Sequence, residues 1–226
     1  MVSSNINTDT DLYNIHSFGL DIKNREIFLH SYIDEVEEGG VEYRVAVTFE
    51  KNIRYLNGLS NDTILIHMHL PGGMWSDCLG IYDSITYSKA KTIILAYGSV
   101  ESASSVLLQS SNLRILMPNT NLLIHYGSFS INEEHSKAVA SSVQWNEQEC
   151  DKMVDIFTDK CMSSNIAKTK NWKRMMARKH IVSQLANKCD WILNANEAVE
   201  YGFADGVLGS KQFPSLEHLK SYKKFT

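Results

Sequence analysis

Ser102 follows an apolar run, Thr92-Ile93-Ile94-Leu95-Ala96-Tyr97, and a punctuating Gly98, and precedes the helical pattern of Val106, Leu107 and Leu108. The run is short and rich in β-branched residues, so it reads as a buried strand. A serine at a strand-to-helix transition sits where backbone N–H groups lack intrahelical partners and the helix dipole favours negative charge. Acyl transfer needs that environment, with an exposed hydroxyl as nucleophile and oxyanion donors beside it. A second reactive type, His125, closes the apolar run Leu122-Leu123-Ile124, and a Gly72-Gly73 pair closes another strand, so a backbone turn there can approach a ligand with no Cβ in the way. Each has a plainer role. Ser102 could cap a core helix, His125 could be a hydrogen-bonded core histidine, and His67 and His69, two apart on one strand face, could bind a metal or simply pack.

The elements that must position these residues alternate. Residues 25–31 read as a first strand and 43–59 as a helix with Val45, Val47, Phe49, Ile53 and Leu56 on its apolar face. Residues 63–69 form a second strand ended by Leu70-Pro71-Gly72-Gly73, and 75–88 a helix with Cys78, Leu79, Tyr82 and Ile85 at helical spacing. After the 92–97 strand and the Ser102 element come two short strands, 114–118 and 121–125, split by a Pro-Asn-Thr turn. Strands alternating with helices at short intervals imply a largely parallel sheet with helices outside it. Ligands in such folds lie beyond the carboxyl ends of strands, which here carry Gly72-Gly73, Gly98 to Ser102 and His125-Tyr126-Gly127.

From Glu133 to about Asn165 no Pro or Gly occurs, and Val139, Val143, Cys150, Met153 and Phe157 recur at helical spacing. This reads as a long amphipathic helix, too long to be covered by one small core and so projecting toward a partner surface. Residues 168–180 are basic, 197–202 a short helix with its C′ glycine, and 204–208 a last strand or turn. Residues 1 to about 20 read as a flexible or partner-dependent arm, 35–42 as an acidic solvated turn or inserted loop and the 220–224 tail as loose.

Composition limits the function. The chain has 226 residues, 43% hydrophobic and 21% charged, and a net charge of −4 that provides no basic field for nucleic acid. No apolar run has the roughly 20 residues of a membrane helix, and the polar start has neither the basic nor the apolar region of a signal peptide. Four cysteines without a CxxC suit reduced thiols in a cytoplasmic compartment rather than a disulfide framework or a zinc site.

Five segments together resemble the ClpP family, the proteolytic subunits of the Clp ATP-dependent proteases, over residues 25–208. Leu70-Pro71-Gly72-Gly73 is similar to the family's Ser-Pro-Gly-Gly, Gly98 through Ser102 to its Gly-x-Ala-Ala-Ser, and Met117-Pro118-Asn119-Thr120 to its Leu-Pro-Asn-Ser. Leu123-Ile124-His125 is similar to Met-Ile-His, and Glu197 through Asp205 matches the C-terminal signature nearly residue for residue. The resemblance implies an α/β, crotonase-like spiral of β-β-α units with a projecting handle helix. Its parts would be an N-terminal arm (1–24), a peptidase domain (25–210, with the handle region at 133–180) and a tail (211–226).

The resemblance also implies a serine endopeptidase. Ser102 would be the nucleophile, His125 the base and Asp190, twelve positions ahead of Gly202, the third member. The backbone N–H groups of Gly73 and Ala103 would be the oxyanion donors, and Met74, Trp75, Tyr126 and Gly127 would contact substrate. It implies no metal and no cofactor of its own, ATP being used only by a partner AAA+ unfoldase. The partners would be further copies of the chain in stacked heptameric rings, with unfolded polypeptides or peptides as substrates and neither nucleic acid nor membrane.

Departures from the family pattern bear on this reading. Glu101 stands where a small residue is expected, Leu70 replaces serine, the segment after His125 is reduced, and the distance from His125 to Asp190 is long. Asp190 could instead cap the next helix or turn, or pair with Lys188. Two other functions fit the same resemblance: a non-catalytic assembly subunit with a misaligned triad, or an acyl-CoA enzyme using Glu101 as acid/base. The latter chemistry needs none of Ser102, His125 and Asp190.

Overall fold

Strand β4 (Thr92–Glu101) runs through the middle of the molecule and pairs with β3, β5 and β6, so its two halves serve different neighbours. The computed structural model describes residues 8–31, 39–128, 130–131 and 135–225. Before β4 come helix α1 (Thr8–Phe18), β1 (Leu20–Asp21), β2 (Glu26–His30), α2 (Tyr43–Leu59), β3 (Ile64–Leu70) and α3 (Trp75–Thr86). After it come α4 (Ala103–Leu108), β5 (Leu113–Leu116), β6 (Asn121–Ile124), α5 (Ser136–Met162), α6 (Asn165–Thr169) and α7 (Arg174–Lys188). The chain ends with β7 (Trp191–Asn194), α8 (Ala195–Glu200), β8 (Gly206–Val207) and α9 (Leu216–Lys220).

The sheet order is β1-β2-β3-β4-β5-β8, with β6 paired to β4 and β7 paired to β6. All pairs are parallel except β1 with β2 and β6 with β7. This is the largely parallel α/β arrangement expected from the alternating pattern, with no helix among the described residues long and apolar enough to cross a membrane.

Gly98 does not end the strand, contrary to the sequence-based expectation. It takes φ +58°, its α-carbon side packs against His69, and β4 resumes through Val100, which is fully buried and pairs with Leu70 and Leu122. A left-handed residue re-aims the strand so that one half pairs with β5 and the other with β6. Leu70, where the resemblance would expect a serine, is simply core.

The main core lies between the sheet and helices α2 to α5, α7 and α8, built from residues such as Phe49, Leu56, Ile81, Leu107, Phe157, Trp191 and Phe203. The opposite sheet face presents Leu65, Ile93, Leu95, Leu113 and Ile115, and Phe213 and Leu219 cover it. The C-terminal segment is therefore packed rather than loose, and Gly206 is needed because a Cβ there would lie 2.3 Å from the Phe213 ring. Lys220 adds an ion pair to the buried Glu26.

The N-terminal arm is also corrected over its described part. Residues 8–18 form a helix, tied down by the Asn52 amide donating to Phe18 O at 2.6 Å and by β1 pairing with β2. Its sequence signal is weak because its outer residues, Leu12 and Tyr13, are exposed, and docking rather than periodicity decides its state. Residues 1–7, 32–38 and Glu133-Glu134 lie outside the described residues; these include the first half of the acidic loop expected over 35–42, whose second half is not a solvated loop, because Val41 is buried and bridges Gly73.

The long helix exists as α5, but its apolar residues do not share one fate. Met153, Val154, Phe157 and Cys161 are buried in the chain's own core, whereas Val143 and Trp145 are exposed. Only its first half projects beyond the core, so Met153 and Phe157 do not face a partner. Phe157→Ala should lower the unfolding free energy by about 3–5 kcal/mol through the cavity it leaves, and Val143→Ala by about 0.5 kcal/mol or less; denaturant titration followed by far-UV circular dichroism checks both.

Candidate active site

Pairing of β6 on two edges assembles the site. Parallel pairing with β4 sets Glu101 opposite Leu123, and the Ser102 N–H donates to Leu123 O at 3.0 Å. Antiparallel pairing with β7 sets Ile124 opposite Trp191, so the next residues outward, His125 and Asp190, face one another. His125 Nε2 lies 2.8 Å from Ser102 Oγ, and His125 Nδ1 lies 3.0 Å from Asp190 Oδ1. In the tautomer this chain of contacts requires, Ser102 donates to Nε2 and Nδ1–H donates to the carboxylate.

Ser102 has φ +55° and ψ −126°, a conformation that a non-glycine residue rarely adopts. The strain places the serine on a sharp strand-to-helix turn, with its hydroxyl free of the helix: it makes no capping bond to α4. The capping alternative is thereby excluded. Neither plainer role for the other two holds, since His125 bridges Ser102 and Asp190, and Asp190 has His125 rather than Lys188 as its ion-pair partner. The site is open to water, with the His125 side chain 29% and Asp190 59% exposed.

The Gly72-Gly73 turn presses on the serine. A Cβ on Gly72 would lie 2.9 Å from Ser102 Cβ, and one on Gly73 would lie 2.3 Å from Val41 N and O. Val41 N–H donates to Gly72 O and Met74 N–H donates to Val41 O, at 2.6 and 2.7 Å. That bridge leaves the Gly73 N–H out, while Ala103 is the first residue of α4, where N–H groups have no intrahelical acceptor. Gly72 and Gly73 have φ of +118° and +136°, so glycine is required by conformation as well as by space.

A cleft of about 630 Å³ opens above these groups. Met74, Trp75, Tyr126 and Gly127 line it, together with Glu101. The sequence-based expectation missed its other wall, formed by Trp145, Asn146, Glu149, Cys150 and Met153 of α5. Their spacing of one, three and four was a readable signal for a shared helix face, but not for which face meets Ser102.

Glu149 is held below the usual carboxylate range: burial, the largest influence, pushes it up, but hydrogen bonds from Lys152 and Trp75 outweigh that. The Cys150 thiol is pushed up by burial and by the carboxylates of Asp151, Glu149 and Glu147, and the Tyr126 phenol chiefly by burial, so both stay neutral. Cys78, donating to Ala103 O at 3.0 Å, is pushed up by burial to about 12 and is no nucleophile. Glu101 makes no ion pair among the described residues.

His67 is a core histidine. It stacks on Phe28 with ring centroids 4.7 Å apart and bonds Glu26 and Tyr97 at 2.9 and 2.8 Å, while His69 packs against Gly98. No group of three metal-ligating side chains occurs among the described residues.

The family model described as Clp protease matches residues 15–211. The chain belongs to the Clp protease family. Among its relatives, ATP-dependent Clp protease proteolytic subunit 2 of Pseudomonas aeruginosa is 26% identical over 176 residues, covering 77% of this chain and 80% of that protein. Proteolytic subunit 1 of Rhodococcus jostii is 28% identical over 187 residues, covering 81% and 74%. A ClpP1 mutant from Listeria monocytogenes superimposes with a TM-score of 0.64 at 19% identity, covering 84% of this chain and 95% of that one, which establishes the shared fold. This Clp protease family member thus keeps serine, histidine and aspartate in hydrogen-bonded sequence despite low identity. Gly72→Ala should leave the far-UV circular dichroism spectrum close to wild type yet slow modification of Ser102 by a fluorophosphonate by roughly 10²-fold, because reacting groups displaced by about 1 Å lose that much; mass spectrometry of the labelled peptide reads it.

Proposed function

We propose that this chain is a serine endopeptidase that cleaves unfolded polypeptides or peptides. The observation that carries the reading is the unbroken Ser102–His125–Asp190 hydrogen-bond chain opening on a cleft that Gly73 and Ala103 also line. A misaligned, non-catalytic subunit would lack that chain, and an acyl-CoA enzyme would not need it.

In the first half-reaction Ser102 Oγ attacks the scissile carbonyl carbon as His125 Nε2 takes the hydroxyl proton. Asp190 holds the imidazole in the required tautomer and stabilises the imidazolium. The carbonyl oxygen becomes an oxyanion and receives hydrogen bonds from the Gly73 and Ala103 N–H groups, which strengthen as its charge develops. Collapse expels the amine, which takes the proton from His125 and leaves Ser102 acylated. Water then attacks the ester with the same base, releasing the acid and restoring the serine. Met74, Trp75, Tyr126 and Gly127 line the path of the substrate chain.

The same reading assigns the chain to stacked heptameric rings with active sites facing an inner chamber, fed by an AAA+ unfoldase that supplies the ATP chemistry. Family membership supports it, as does the first half of α5, where Val143 is 41% exposed. Burying such side chains contributes about 1.5–3 kcal/mol each. The four cysteines are all free, which suits a reducing compartment, and we place the enzyme in the cytoplasm with no resident metal or cofactor.

Ser102→Ala should abolish fluorophosphonate labelling and lower peptide hydrolysis by about 10³-fold or more without changing particle size; persistent labelling at Ser104 or Ser105 would refute the nucleophile. Asp190→Asn should keep the fold and cost on the order of 10⁴-fold in kcat, because Asn favours the wrong imidazole tautomer. Light scattering should show a large particle for the wild type and a smaller one for Val143→Asp; a fully active wild-type monomer would refute the ring assembly.

A further inference from the structure

Glu149 is a carboxylate on the buried side of α5, 8% exposed. Both its oxygens are engaged: Oε2 accepts from the Trp75 indole N–H and Oε1 from the Lys152 ammonium, each at 2.6 Å. Burying a charge costs free energy that an apolar residue on the same helix face would not incur. A pairing with Lys152 alone could be made on the surface of the helix, so the buried placement needs the tryptophan to explain it.

Trp75 is the first residue of α3 and stands two positions after Gly73. Its bond to Glu149 is the one side-chain hydrogen bond made by residues 70–75 among the described residues. The backbone bridge to Val41 holds one edge of this turn. Glu149 holds the other end to a helix that α7 also grips, through Arg174 on Asp155 and Asp159 and Arg178 on Asp151 and Asp155. The α7 helix leads directly to Asp190.

We infer that Glu149 is a positioning residue for the acyl-transfer reaction: through the Trp75 indole it sets where the Gly73 N–H lies relative to Ser102. The inference rests on the peptidase reading above. One helix then serves as reference for both the donor turn and the strand end that carries Asp190. An oxyanion donor acts only within about 2.7–3.1 Å of the developing charge, so a turn free to drift would spoil the transition state while leaving ground-state binding in place.

The test uses the full-length chain with Glu149→Leu, Glu149→Gln, Trp75→Phe and the double variant Trp75→Phe/Glu149→Leu. Rates on a fluorogenic peptide are measured across pH, with hydrogen exchange of the peptide spanning 70–77 as a reading independent of activity. Glu149→Leu and Trp75→Phe should each lower kcat about 10- to 100-fold, in line with a displaced oxyanion donor, with the acid limb of the pH profile unmoved in both and KM unmoved in Glu149→Leu. The double variant should be no worse than the worse single one. Glu149→Gln, whose carboxamide oxygen still accepts the indole N–H, should recover to within about threefold, since a neutral acceptor keeps the bond at reduced strength. Exchange over 70–77 should quicken in Glu149→Leu and not in Glu149→Gln.

Trp75→Phe keeps the aromatic packing and carries the test by itself if Glu149→Leu fails to fold. Unchanged kcat in Trp75→Phe, additive losses in the double variant, a shifted acid limb, or a rise in KM with kcat intact in Glu149→Leu would each overturn the positioning role. A wild type that a fluorophosphonate does not label at Ser102 overturns the peptidase reading and this role with it. A labelled wild type with an unaffected Trp75→Phe overturns the role alone.

Discussion

The site depends on the register of β6. This four-residue strand is bonded in parallel to the last residues of β4 and antiparallel to β7, and its end points His125 at both neighbours. Side chains alternate along a strand, so a slip of one residue would turn His125 to the opposite face and separate it from both Ser102 and Asp190. The burial of Leu122 and Ile124 opposes that slip, since it would bring their side chains out of the core. The positive φ of Ser102 persists because its N–H is already committed to Leu123 O and its C=O to Ser105. Neighbouring structure over-determines the strained residue, which is the condition under which such strain survives.

A second constraint comes from α5, which has two environments along one helix. Its C-terminal half is core, with Phe157 edge-on to Phe203 at 5.0 Å, and its middle forms a wall of the cleft. The ion pairs to α7 are largely exposed and each contributes little to stability. Their value is in alignment, because α7 and the tight turn at Cys189, with φ +56°, deliver Asp190 to the end of β7. The 65 positions of chain between His125 and Asp190 are thus spanned without breaking the hydrogen-bond chain.

Family membership and fold do not by themselves assign chemistry, since one scaffold can host many activities. The residues that depart from the family pattern sort by position. Leu70 is buried and belongs to packing, whereas Glu101 lines the cleft next to the nucleophile, where a carboxylate acts on any developing negative charge. The C-terminal segment has a comparable double character: its sequence is polar and charged, but Phe213, Leu219 and Tyr222 seal the outer face of the sheet.

By itself the sequence determined the alternating elements and the glycine turn at the end of β3, whereas Ser102, His125 and Asp190 were singled out as a set by the family resemblance. The elements and the turn are local: period, breakers and residue type decide them within a few positions. The tertiary structure decided the rest. It carried β4 past Gly98, because pairing with β6 outweighs one left-handed residue. Docking onto β2 and α2 fixed the segment from α1 to β1, which periodicity does not specify. It also chose which half of α5 is buried and brought Glu149 to Trp75 across 74 positions of chain. Contacts at such separations leave no periodic trace in the residues that make them, because they arise only when separately formed elements compete for the same apolar surface.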